Sequence, residues 1–114
     1  MGVRHITFQL EARLTGKAKG FFSSKPKGKL ERKSYQDGGE RLKIKVGNLK
    51  LQDGDDITVR VDEKELAVIS VKNGRAKFDE EYDDASLFPP LEAGETVSVS
   101  AGGNVVLSGE LYVD

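Results

Sequence analysis

The chain lacks cysteine and tryptophan altogether, and its 114 residues include one histidine and three prolines. Without cysteine, no disulfide can hold the fold and no thiolate can act as a nucleophile or a metal ligand. No apolar run approaches the roughly 20 residues of a membrane-spanning helix. The first residues contain no apolar segment of the signal-peptide kind. We therefore predict no membrane partner, and a location in the producing cell or in a virion unless a leader was removed.

The scarcity of histidine also argues against catalysis. His5 is the only histidine, and it lies on the polar side of the first predicted strand. Nothing in the sequence places an orienting group or a nucleophile beside it. No glycine-rich segment opens a helix that could hold a phosphate. We predict no catalytic residue, no cofactor and no enzymatic activity.

Alternation of apolar and polar residues with a period of two dominates the chain, which predicts β-strands. In residues 5–14, Ile6, Phe8 and Leu10 share one face with two further apolar residues. The parity continues past Gly16, so we predict one strand that bends there, with a hairpin at this position as the alternative.

Three glycine-containing turns and one turn without glycine predict four hairpins. A three-residue loop at Asp37-Gly38-Gly39 would pair Leu30 with Val46. A turn at Glu63-Lys64 would pair Val59 with Val68. Asn73-Gly74, which suits a type I′ turn, would pair Ile69 with Phe78. A three-residue loop at Gly102-Gly103 would pair Val99 with Leu107.

The second and third of these hairpins would make residues 66–71 apolar on both faces, which a half-exposed antiparallel strand should not be. A loop, a bulge-shifted register or another chain must then cover the second face. The candidate interface residues are Ile69, Val71, Phe78 and Phe21.

Eight or nine short strands and no long helix predict an all-β antiparallel β-sandwich, immunoglobulin-like or jelly-roll-like, as one domain over residues 1–114. Leu51-x-x-Gly54-x-x-Ile57-x-Val59 is repeated 40 residues later as Leu91-x-x-Gly94-x-x-Val97-x-Val99. A turn common to all sandwiches is the favoured explanation, and a duplication is the alternative. The strand spacing from about residue 40 and this turn resemble the immunoglobulin-like modules of bacterial surface proteins and phage virion proteins. The Cys–Trp–Cys core of true immunoglobulin domains is absent.

Charge is divided along the chain. Residues 1–50 hold 13 Lys and Arg against 4 Asp and Glu, whereas residues 51–114 hold 5 against 15. If the fold keeps these halves apart, the molecule is an electric dipole that attracts copies of itself or a charged partner.

Two clusters of charge are candidate binding sites. Basic residues interleaved with aromatic ones can track a nucleic-acid backbone. The predicted basic patch comprises Lys17, Lys19, Lys25, Lys27, Lys29, Arg32 and Lys33. Acidic loops at one end of a sandwich can supply the hard oxygens that calcium needs. The weaker calcium candidates are Asp53, Asp55, Asp56, Asp83 and Asp84.

These observations favour a non-enzymatic structural or interaction module, of the virion-decoration, shell or surface-layer type. It would assemble with copies of itself or dock on a larger protein assembly. The first alternative is an anionic-ligand or nucleic-acid binder that uses residues 17–35. The second is a carbohydrate-binding or adhesin-type module, for which Tyr82 and Phe88 are the residues to test.

Overall fold

The computed structural model describes residues 5–16, 25–83 and 90–114. Within them, nine antiparallel strands form a single sheet, which confirms the all-β prediction. The strands are β1 (Ile6–Thr15), β2 (Lys27–Tyr35), β3 (Glu40–Gly47), β4 (Asp56–Val61), β5 (Lys64–Ser70), β6 (Ala76–Tyr82), β7 (Thr96–Ala101), β8 (Asn104–Glu110) and β9 (Tyr112–Val113). These residues include no helix long and apolar enough to cross a membrane.

The sheet runs in the order β5-β4-β7-β8-β1-β2-β3-β6, with β9 beside β1. It folds over where β8 meets β1, because the two strands pair only at Thr15 and Ser108. We call β5-β4-β7-β8 layer A and β1-β2-β3-β6 layer B. Both layers contribute side chains to one core, and β5 and β6 come into contact at the opposite side. The result is a nearly closed, barrel-like sandwich.

The core follows the predicted alternation. In β1, Leu10, Ala12 and Leu14 are buried while Arg13 faces out. Burial of each such side chain contributes roughly 1.5–3 kcal/mol relative to exposure. Ile6 and Phe8 share the sequence parity of Leu10 but are 47% and 42% exposed. A β-bulge between them shifts the register, so Ile6 lies opposite Tyr35, on the other face from Phe8, which lies opposite Ser34. The predicted continuation of the strand past Gly16 falls outside the described residues.

Two of the predicted turns form, but the strands beside them pair differently from the prediction. The β2–β3 loop has three residues, as predicted, but they are Gln36, Asp37 and Gly38, so Leu30 pairs with Ile44 instead of Val46. The two-residue shift keeps the same faces in the core.

Asn73 and Gly74 both have positive φ, as a type I′ turn requires. However, the turn is closed only by the Lys72–Arg75 bridge, since β5 and β6 then diverge into different layers, and Phe78 pairs with Ile44.

The β4–β5 hairpin has a different register from the predicted one. Its loop is Asp62-Glu63, and Val59 pairs with Ala67 instead of Val68. A β-bulge at Leu66, the extra residue between the Val59 and Arg60 pairs, accounts for the shift. A loop, a bulge-shifted register and another chain were the three explanations for the apolar residues on both faces of 66–71. The structure contains the bulge-shifted register.

The sequence similarity between residues 51–59 and 91–99 extends to the structure of residues 51–71 and 91–111. Gly54 and Gly94 both have φ of 93°, and their N–H groups donate to the carbonyls of Val71 and Leu111. The β7–β8 hairpin has its bulge and its two-residue loop at the same positions, 40 residues on. A Gly turn common to all sandwiches would explain Gly54 and Gly94, but it would not explain why both hairpins also share the bulge and the two-residue loop. Layer A is therefore built from two copies of one bulged hairpin, which favours the duplication.

The two hairpins meet along β4 and β7, which pair antiparallel with Val59 opposite Val99. These are equivalent residues of the two repeats, so a local pseudo-twofold axis passes between them. The symmetry makes β5 and β8 equivalent outer strands of layer A.

Candidate interaction surfaces

The outer edge of β5 is the first candidate surface. Its equivalent strand, β8, has β1 at its outer side, whereas no strand in the described part of the chain pairs with the outer side of β5. An unpaired edge presents backbone N–H and C=O groups that can accept another strand. The β5 edge is therefore a candidate strand-binding surface.

The residues of β5 suit pairing with another strand. Leu66, Ala67, Val68 and Ile69 follow one another without a charge. The other edge strand, β6, carries Lys77 and three carboxylates, and charges of this kind protect an edge. Of the two edges of the sheet, β5 is the less protected.

The apolar side chain that β5 exposes differs from those predicted. Val68 is 53% exposed, whereas Ile69 and Val71 are buried in the core. The bulge at Leu66 turns Ala67 and Ile69 inward and Val68 outward. Phe78 is partly buried against the core, and Phe21 lies outside the described residues. The sequence could not identify Val68 as the exposed residue, because residues 66–71 are apolar on both faces of the strand. Only the β4–β5 register shows which face points outward.

A ladder of cations on the outer face of layer B is the second candidate surface. Arg13 lies opposite Lys29, Lys29 opposite Lys45, and Lys45 opposite Lys77. We call this row the basic ladder. It crosses four strands, or about 14 Å at the usual strand spacing. Like charges directly opposite one another are destabilising, so the row has an energetic cost that an anion would relieve.

One member of the basic ladder has carboxylate partners. The Lys29 ammonium lies 2.9 Å from Glu11 Oε1 and 3.1 Å from Glu31 Oε1. These hydrogen bonds, that to Glu11 first, raise the pKa of Lys29 above its ordinary value. The hydrogen bond from Lys29 in turn holds the pKa of Glu11 below its usual range. Among the described residues, Arg13, Lys45 and Lys77 have no carboxylate within ion-pair distance.

A shallow groove of about 360 Å³ accompanies the ladder. Its lining includes Lys27 and Arg75 beside three residues of the ladder, together with two glycines and Val46. A Cβ placed on Gly47 would meet no atom within 4 Å. Gly47 therefore leaves the floor of the groove open to the backbone of a ligand.

The residues of the predicted basic patch separate between faces. Lys27 and Lys29 line the groove, and Lys25 is exposed in the adjoining loop. Lys33 lies farther along β2, and its ammonium nitrogen is 3.5 Å from Glu31 Oε2. Arg32 points between the layers, where it donates to Glu40 Oε2 and to the Leu91 carbonyl. Lys17 and Lys19 lie outside the described residues. Arg13, Lys45, Arg75 and Lys77 were missed because they come from strands distant in sequence.

The strand ends differ in charge, although both signs occur at each end. We call the end with turns 48–55, 72–75 and 102–103 the basic end, since it lies beside the groove. We call the end with turns 36–39, 62–63 and 91–95 the acidic end. Its turns carry Asp37, Asp62, Glu63, Glu92 and Glu95. The basic end also holds Asp53, Asp55 and Asp56, on the layer A side.

The calcium candidates lie at opposite ends of the sandwich. Asp53 and Asp55 accept backbone N–H groups from Asn73 and Gln52, and Asp56 accepts the Ser70 hydroxyl. Asp83 follows β6 at the acidic end, and Asp84 lies outside the described residues. In the described ranges, no three His, Asp or Glu side chains are grouped so that they could hold a metal ion.

The remaining candidates do not form a recognisable site. Tyr82 packs partly against the core, and Phe88 lies outside the described residues. A cleft of about 690 Å³ lies between β8 and residues 48–51, and Lys50 is the one titratable residue among its described lining residues. His5 is exposed at the start of β1.

No protein-family model matches the sequence, and no curated protein matches it. Function must therefore be argued from the surfaces described above.

Proposed function

We propose that this protein is a non-enzymatic interaction module that self-associates by pairing β5 with the β5 strand of a second copy. The observation that carries the proposal is the comparison of the two repeats. β8 has β1 at its outer side, whereas the equivalent side of β5 is unpaired in the described chain. A second copy supplies the missing neighbour.

The β5 sequence is complementary to itself in one antiparallel register. With the twofold axis at Val68, each Val68 lies opposite its counterpart on the outer face. Ala67 of one copy lies opposite Ile69 of the other on the core side. Both residues are about 8% exposed in the single chain, so an added strand would complete their burial. Apolar residues then meet apolar residues on both faces, as a stable strand pair requires.

The charges support the same arrangement. In an antiparallel pair, the acidic end of each copy lies beside the basic end of the other. In this register Asp62 and Glu63 of one copy lie opposite Gly74 and Asn73 of the other, between Lys72 and Arg75, whereas Lys64 lies opposite Lys72. Complementary charge of this kind steers association and fixes orientation, while the buried apolar groups provide most of the affinity. A twofold contact also closes on itself and gives a dimer.

The substitution Val68→Lys tests this proposal. It places a charge where the two strands would meet, and we expect at least a tenfold weaker dimer, because the paired valines bury this position. Sedimentation equilibrium of wild type and variant over a concentration series measures the effect.

Val105→Lys is the matched control. Val105 is also an exposed valine on the outer face of layer A, 62% exposed, but it lies on β8. We expect V105K to dimerise like wild type. The wild-type dimer should also loosen as salt screens the complementary ends. A wild-type protein that stays monomeric at every concentration, or equal weakening by V68K and V105K, would contradict the proposal.

A further inference from the structure

We propose that the basic ladder and its groove bind the sugar-phosphate backbone of a nucleic-acid duplex, without reading its sequence. This surface lies on the outer face of layer B, whereas the proposed dimer uses the edge of layer A. The inference therefore goes beyond the proposed function and does not depend on it.

The arrangement of cations matches a regular polyanion. Four cationic side chains follow one another at the strand spacing, about 4.8 Å between neighbouring strands. Lys27 and Arg75 add a second, shorter row beside Gly47. Phosphates along a duplex are also a regular row of single charges. A duplex presents such a row along its whole length, which favours nucleic acid over the limited acidic surface of a protein.

The lining residues indicate which form of nucleic acid would bind. Among the described residues, no aromatic side chain on which an unpaired base could stack lines the groove. Lysine, which predominates, acts as a point charge and lacks the planar fork with which arginine reads a guanine. The contacts available are therefore those to phosphate, which position a protein on a duplex without specifying a sequence.

The surrounding carboxylates leave most of the ladder available. Glu11 and Glu31 are held by Lys29, and Asp79 is held by Arg41 at 2.9 and 2.6 Å. The acidic residues of the basic end, at 53–56, precede or begin β4 in layer A. Three of the four ladder cations have no ion-pair partner among the described residues, so phosphate contacts would not have to displace an existing pair.

The test is the salt dependence of binding to a fluorescent DNA duplex of arbitrary sequence, measured by anisotropy. If Arg13, Lys45 and Lys77 neutralise phosphates, log K should fall with log salt with a slope of about −2.7. Lys45→Gln and Lys77→Gln should each weaken binding and reduce the slope by about 1. Lys64→Gln, which removes an exposed charge at the acidic end, should leave the slope unchanged.

Four outcomes would overturn the inference, and three of them come from the duplex titrations. They are no binding to the duplex at low salt, the same slope in K45Q and K77Q as in wild type, or an equal effect of K64Q. Polyglutamate that competes as well as duplex per charge would also overturn it, since it would show a general preference for anions. Because V68K leaves the ladder intact, its binding slope should be that of wild type, which separates failure of this inference from failure of the proposed dimer.

Discussion

Asp79 shows how single residues organise charge on the outer face of layer B. Arg41 donates two hydrogen bonds to its carboxylate. These bonds hold the pKa of Asp79 below its ordinary value, with smaller contributions from nearby Lys43 and Lys45. Because the folded pKa lies below the unfolded one, the ionised carboxylate stabilises the fold above the unfolded pKa. This stabilisation is lost as the pH falls through the folded pKa.

The substitution Asp79→Asn should therefore have an effect that depends on pH. We expect it to lower the free energy of unfolding at neutral pH by less than about 1 kcal/mol, because the pair is exposed. The difference from wild type should disappear as the pH falls below about 4. Urea denaturation at a series of pH values measures this. The exposed Glu80, which has no ion pair in the described residues, provides the control E80Q. A D79N effect that persists in acid would contradict the account.

The repeated turn is the clearest feature at the scale of structural elements. Gly54 and Gly94 have the same positive φ, and an added Cβ at either would meet nothing within 4 Å. Alanine would therefore be strained by the backbone alone, at a cost of about 1–2 kcal/mol. We expect G54A and G94A to lower the free energy of unfolding by similar amounts in urea denaturation.

Gly47 provides the control for these two variants. It also has open space around a new Cβ, but its φ is not positive. Gly47→Ala should leave stability nearly unchanged, since the strand backbone suits alanine. Unequal costs at Gly54 and Gly94 would contradict the structural equivalence of the two turns.

The elements that the sequence predicts best are those formed by residues close along the chain. Val99 pairs with Leu107 as predicted, although the loop has two residues, because the bulge at Val106 supplies the third. The alternation also places Arg32 on the face of Leu30, although charge alone assigned it to the basic patch. The order of strands could not be predicted, because period-two alternation does not say which strand lies beside which. The ladder depends on that order, since Lys45 and Lys77 meet only when β6 lies beside β3.

At the scale of the whole molecule, the fold only partly preserves the charge division of the sequence. β6, from the acidic half of the chain, pairs with the lysine-rich β3. This pairing neutralises part of layer B and leaves the ladder beside the basic end. The acidic turns 36–39, 62–63 and 91–95 share the other end. An antiparallel dimer through β5 would bring the acidic turn 62–63 of one copy beside Lys72 and Arg75 of the other, at an end that also holds Asp53, Asp55 and Asp56. The apolar pairing at Val68 is therefore the main support for this contact.

Hydrogen exchange of the β5 backbone as a function of protein concentration tests the central claim most directly. Pairing with a second copy protects the amides on the outer side of the strand, and this protection must increase as the dimer forms. We expect exchange across residues 64–70 to slow from micromolar to millimolar protein, with no change in β8 and with the slowing shifted to at least tenfold higher concentration in V68K. Exchange in β5 that is independent of concentration while the protein associates, or slowing confined to another strand, would contradict the account.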